Sequence, residues 1–220
     1  MSLTPTFAFA LYDGAARFFE AGGPFMVPLA ACALTAVGLT LWRLRALRRE
    51  RVLPRFVRAA IEKLPPGTDV GHIRQLVEGN PAALARIART GLLNLELTRG
   101  ENAGLVQTTA RREMLRLEGG LAGLELIVGI APLLGLLGAI SGLVGVFSNL
   151  GNGATAADTS GVALGIAEAL NTTIFGLAIA IPTLVAYTFL VRRIEGMAVE
   201  METLTASLLS KCYGAQGGAG

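Results

Sequence analysis

The chain has 220 residues, 52% of them hydrophobic and only 16% charged, with 28 glycines. An average soluble domain is about 25% charged and about 7% glycine, so this composition excludes intrinsic disorder and argues against an ordinary soluble enzyme. The formal net charge of +3 is too small to argue for a nucleic-acid partner, and a glycine-rich, charge-poor chain belongs first to the membrane class.

Residues 1–20, with Asp13, Arg17 and Glu20, read as a segment outside the membrane. The stretch 21–42 carries no charge between Glu20 and Arg43 and meets the roughly 20 residues that a bilayer crossing needs. It does not read as a cleaved signal peptide, because its flank is not basic and its apolar run is too long. Residues 43–124 hold 15 Lys and Arg against 8 Asp and Glu. That surplus reads as the positive-inside signal on a solvated helical region. The alternative is a surface for anionic lipid or an acidic partner. Pro65–Pro66–Gly67 breaks this region and Asn80–Pro81 restarts it. Between Pro81 and Glu125 there is no further proline, so one long helix is expected to run into the second span, loosened at Gly119–Gly120.

The second span is placed at 125–150, an outer loop at 151–160 and the third span at 161–191, stopped by Arg192 and Arg193. Asp158, Thr159 and Ser160 are candidate N-caps for the third helix. In the tail, 192–213, Ile194, Met197, Met201, Leu204 and Leu208 alternate at spacings of three and four. That stripe packs against another helix, so the third helix is expected to continue to about Lys211. Residues 214–220 are expected to be disordered. Arginines cluster after the first span, before the second and after the third, whereas the 151–160 loop has none. The N-terminus is therefore placed outside, with 43–124 and the C-terminus inside. The expected fold is an all-α integral membrane protein of three transmembrane helices with long cytoplasmic helical extensions.

Two cysteines in distant segments, Cys32 and Cys212, and a single histidine, His72, supply no disulfide framework, metal site or cofactor site. No enzyme chemistry is expected: one intramembrane carboxylate provides neither a nucleophile–base pair nor a two-carboxylate metal site. A self-contained transporter is disfavoured by the small number of spans.

That carboxylate is Glu168. A charge inside a span costs a few kcal/mol and so faces protein or a water-filled cavity. At about 100° per residue, Thr172, Thr183, Gly176, Tyr187 and Thr173 fall within about 140° on one side of Glu168, and Asn171 about 60° on the other. Such a polar arc is either pore-lining or interhelical. Threonines of this kind also bond back to their own backbone, and a glutamate near the interface can snorkel. In the second span Gly135, Gly138, Gly142 and Gly145, with Ala131 and Ala139, form a face of small residues suited to close backbone approach. It is expected to let subunits close up, since a ring of identical chains could enclose a path that three helices cannot.

Two blocks resemble the MotA/TolQ/ExbB proton-channel family of bacterial inner-membrane motors. One is LELIVGIAPLLGLLGAISGLVGVF, 124–147; the other is GIAEALNTTIFGLAIAIPTLVAY, 165–187. Three spans and a modest cytoplasmic portion are more similar to the ExbB/TolQ branch than to the flagellar MotA branch. The resemblance implies a pentameric ring in the inner membrane, N-terminus periplasmic and C-terminus cytoplasmic. The ring would surround single-span partners of the ExbD/TolR type, whose aspartate exchanges protons, and drive a TonB/TolA-like protein. A gliding or flagellar-type stator and a purely structural scaffold are the alternatives. Membrane lipid is the other expected contact. By the same resemblance Glu168 corresponds to the third-helix glutamate, Thr173 to the pore threonine, and Pro132 and Pro182 to the prolines of the second and third helices. One position departs: Ala139 stands where the family carries a second threonine. Asn171 and Thr172 are then the polar groups that could compensate.

Overall fold

The computed structural model of the chain describes residues 23–65, 70–151 and 159–214. The expectations for residues 1–20, the Asp158 cap, most of the 151–160 loop and the terminal 215–220 lie outside these. All regular structure among the described residues is helical: α1 (Met26–Ala46), α2 (Arg49–Val52), α3 (Arg55–Lys63), α4 (Gly71–Val77), α5 (Ala83–Leu93), α6 (Arg99–Glu118), α7 (Ala122–Gly151) and α8 (Thr159–Gly214). Three of them, α1, α7 and α8, are long and apolar enough to cross a membrane. The chain forms two compact units. Of the described residues, one takes those up to Thr40 and those within 123–187, the other those within 41–122 and those from Thr188 on.

In the first unit the helices are apolar on nearly every side. Val27, Leu34 and Val37 of α1, Leu133, Leu137 and Phe147 of α7, and Leu170, Ile181 and Val185 of α8 are all exposed, which suits a surface that meets lipid. α1 starts later than the 21–42 span places it. Gly23 has φ +67°, and Gly23–Phe25 form a turn closed by Met26 N–H donating to the Gly23 carbonyl at 3.2 Å. The helix then runs past Arg43 and Arg45, whose charges complement the partial negative charge of its C-terminal end.

The second unit buries an ordinary apolar core. Val57, Ile61, Ile73, Leu84, Ile87 and Leu92 are almost fully enclosed. The α8 stripe enters the same core: Ile194, Met197, Met201, Leu204 and Leu208 are all buried. Polar contacts fix its register. Glu200 accepts from Arg49 at 2.7 Å and Arg58 at 2.9 Å. Burial works to raise the Glu200 carboxyl, but the hydrogen bonds from Arg58 and Arg49 outweigh it and hold the group below the usual carboxylate range. Lys211 Nζ donates to the Ile61 and Glu62 carbonyls at 2.9 and 2.8 Å, tying α8 to the C-terminal turn of α3. The Tyr213 hydroxyl receives the Asn102 amide at 2.9 Å and donates to the Leu97 carbonyl at 2.8 Å.

The single long helix expected between Pro81 and the second span is three helices instead. α5 stops at Leu93, with Asn94 at φ −113°, ψ 31°. Thr98 then caps α6: its hydroxyl accepts from Glu101 N–H, and the Glu101 carboxylate accepts from Thr98 N–H at 3.1 Å. This reciprocal box is written in the sequence as T-x-x-E, and it outweighs the good helix formers around it. The second break, Gly119–Leu121, falls at the glycine pair. A Cβ at Gly120 would overlap the guanidinium of Arg43, which is 7% exposed and lies on that glycine.

Candidate ion-path site

The site lies in the first unit, where α7 and α8 approach backbone to backbone. A Cβ added at Gly135 would stand 2.8 Å from the Thr172 carbonyl oxygen and 3.2 Å from the Thr173 Cα. One at Gly138 would stand 2.9 Å from the Thr172 Cβ, and one at Gly142 3.2 Å from the Gly165 carbonyl. From the other side, a Cβ at Gly176 would reach the Ala131 carbonyl at 2.6 Å. At Gly135 and Gly176 glycine is required because backbone stands where a side chain would be, and at Gly138 the buried Thr172 side chain stands there. The small-residue face expected to close subunits together is thus directed at the chain's own α8. Gly145 is outside this contact, exposed, with nothing within 4 Å of its Cβ position. Pro132 and Pro182 lie inside α7 and α8 without ending either helix.

The polar arc of α8 is placed by the same contact. Thr172 is 1% exposed. Its hydroxyl faces the Glu168 and Ala169 carbonyls at 3.1 and 3.0 Å, and its methyl side meets Gly138. Thr183 is also buried and donates to the Ile179 carbonyl at 2.6 Å. Both hydroxyls are therefore engaged with the backbone of their own helix. Thr173 differs. It is half-buried, and its hydroxyl lies 3.2 Å from the Ala169 carbonyl and 3.4 Å from the Gly135 carbonyl across the helix pair. Asn171 is half-buried on the flank away from α7, and Ala139 on α7 is half-buried too. Thr172 is thus committed to packing against α7.

Glu168 is half-buried. Its carboxylate rests on Gly23, in the turn leading into α1. The structure thus brings Glu168 together with α1, and Thr172 and Thr173 together with α7. No sequence signal singled out Gly23; the Gly-Gly-Pro run was the available hint, read only as part of an apolar stretch. Among the described residues no cluster of His, Cys, Asp or Glu is placed to hold a metal ion.

Three apolar helices, one of them carrying a carboxylate and threonines beside a tight glycine contact, define a multi-pass membrane protein with polar groups inside its span. A sequence profile of the MotA/TolQ/ExbB proton channel family matches residues 79–203, and the chain belongs to that family. Its relatives include the biopolymer transport protein ExbB-like 1 of Synechocystis, 33% identical over 79% of this chain and 69% of that protein. ExbB-like 3 of the same organism is 35% identical over 74% of this chain and 79% of its own length. An ExbB homolog of Methanothermobacter thermautotrophicus is 29% identical over 86% of this chain and 67% of that protein.

Proposed function

We propose that this chain is the ring subunit of a proton-driven motor in the inner membrane. In this reading a pentamer of the chain surrounds a single-span, ExbD/TolR-like partner. Proton flow through the ring does mechanical work on a TonB/TolA-like protein for outer-membrane transport or envelope maintenance. The N-terminus is periplasmic and the C-terminus cytoplasmic, and the chain performs no covalent chemistry.

The observation that carries the reading is Glu168: the one carboxylate well inside a span of the described chain, with Thr173, also half-buried, five residues on in the same helix. A carboxylate in a low-dielectric setting is costly when charged and is helped by hydroxyl donors. Each proton crossing releases about 2.3 kcal/mol per 100 mV, enough to bias a packed helix between two arrangements. Glu168 and Thr173 form the path, Asn171 flanks it, and Thr172 supports it from behind by holding α8 on α7.

The test is Glu168→Gln and Thr173→Ala in the full chain, with energised uptake measured in cells and ring size by native mass spectrometry. Uptake falling at least tenfold with an intact ring supports the motor. Unchanged uptake in both variants overturns the site and leaves the scaffold reading. Purification of the ring without any single-span partner points to a scaffold as well.

A further inference from the structure

We propose that Gly23 is a positioning residue for Glu168: the turn leading into α1 sets where the carboxylate sits, and this requires glycine. Two independent features of Gly23 lead here. Its φ is +67°, in the left-handed region that favours glycine. In addition, a Cβ at this position would overlap Oε1 of Glu168 and stand 2.8 Å from its Cδ and 3.4 Å from its Cγ. The whole end of the glutamate side chain therefore lies in the space that any other residue would fill.

The kind of atom displaced matters. At Gly135 and Gly176 a new Cβ meets backbone, so the helices themselves must part. At Gly23 it meets the far end of a flexible side chain. The collision is relieved by turning Glu168 to another rotamer, leaving the α7–α8 contact as it is. The turn is held on the helix side of the glycine. Pro24 fixes its own φ, Met26 N–H bonds back to the Gly23 carbonyl, and Met26 and Leu29 are fully buried. The glycine therefore stays in place and the carboxylate yields. In functional terms, which rest on Glu168 being the path carboxylate, the first helix takes part in the ion path through its outer turn.

The chain supplies its own control. Gly79 has a similar φ, +71°, but nothing within 4 Å of its Cβ position. Gly79→Ala carries the backbone strain without the collision. The experiment uses the full chain purified as its ring. A hydrophobic carbodiimide, which adds to a protonated carboxyl group, labels Glu168, and the labelling rate is followed by peptide mass spectrometry across a pH series. Gly23→Ala is expected to change the rate by about fivefold or more, the scale of a forced rotamer change, with Gly79→Ala at the wild-type rate. In a Glu168→Asp background, whose side chain is shorter by one methylene, the effect of Gly23→Ala is expected to shrink. Asn accepts positive φ better than most residues, so Gly23→Asn is expected to act like Gly23→Ala even where the alanine variant assembles poorly. A wild-type labelling rate in Gly23→Ala and Gly23→Asn overturns the proposal, as does an equal change in Gly79→Ala. Labelling reports position alone. If Glu168→Gln keeps full uptake while Gly23→Ala alters labelling, the motor reading fails and the positioning of Glu168 stands.

Discussion

The Thr173 hydroxyl of α8 lies 3.4 Å from the carbonyl oxygen of Gly135 on α7, and 3.2 Å from that of Ala169 on its own helix. A hydroxyl has one proton, so it can serve one carbonyl at a time and exchange between them at little cost. That separates Thr173 from Thr172 and Thr183, which face carbonyls of α8 alone.

Thr173→Val keeps the branched shape and removes the hydroxyl. The lost bond is worth about 0.5–1.5 kcal/mol, so the melting temperature of the detergent-solubilised ring should fall by only a few degrees. Proton flux into proteoliposomes carrying the complex should fall far more, by about tenfold or more if the barrier rises by about 1.4 kcal/mol. A parallel small drop in both would reduce Thr173 to a packing residue. Thr172→Val should instead lower stability with little separate effect on flux.

Gly135→Ala places a methyl group 2.8 Å from the Thr172 carbonyl oxygen, on backbone that can yield only if α7 and α8 separate. Overpacking of this kind costs about 1–3 kcal/mol. Gly145→Ala, on the same helix with open space at its Cβ, should lie within about 0.5 kcal/mol of wild type. Thermal unfolding of the two variants decides the matter, and equal melting temperatures would deny the close contact its role.

Thr98→Ala removes the hydroxyl half of the cap on α6 and leaves the bond from its backbone N–H to the Glu101 carboxylate. Hydrogen bonds from the Thr98 hydroxyl and backbone N–H hold the Glu101 carboxyl below its usual range, and both bonds connect the cap to the first turn of the helix. A cost of about 1 kcal/mol is expected. Hydrogen exchange should quicken at residues 99–102 first, with the buried Asn102 amide, bonded to the Gly91 carbonyl at 2.9 Å, protecting the residues beyond.

The three apolar helices, the continuation of α8 and its buried stripe were legible because each rests on a long periodic pattern of apolar residues. The glycine pair marked the place of the break at Gly119–Leu121 as a loosening, but the break at Asn94–Thr98 was not legible, because helix formers on both sides mask a short cap. The glycine face of α7 was legible as a close-contact surface, but its partner was not. Sequence spacing states that something approaches Gly135 and Gly138 and says nothing of which helix does. Glu168, Thr172 and Thr173 were legible as one polar arc, yet they part company in the structure: Thr172 turns to α7, Thr173 bridges two carbonyls, and Glu168 rests on Gly23. That last contact joins residues 145 positions apart in the chain, beyond the reach of any local pattern.

Glu200 gives the packing of the C-terminal half of α8 a pH dependence. Its carboxylate holds Arg49 and Arg58 together, and its proton affinity in the folded chain is below the ordinary value. A carboxyl of this kind contributes stability above the unfolded pKa of about 4.3, and that contribution is lost as the pH falls through the lower folded value. Both guanidinium groups are partly exposed, so the pair of bridges is worth about 1 kcal/mol. Glu200→Gln should therefore lower the melting temperature by about 2–4 °C near neutral pH. It should also flatten the decline of wild-type stability on acidification, so that the two curves converge below about pH 4. Curves that stay parallel well below that pH would show that Glu200 is not the titrating link between α8 and the arginines of α2 and α3.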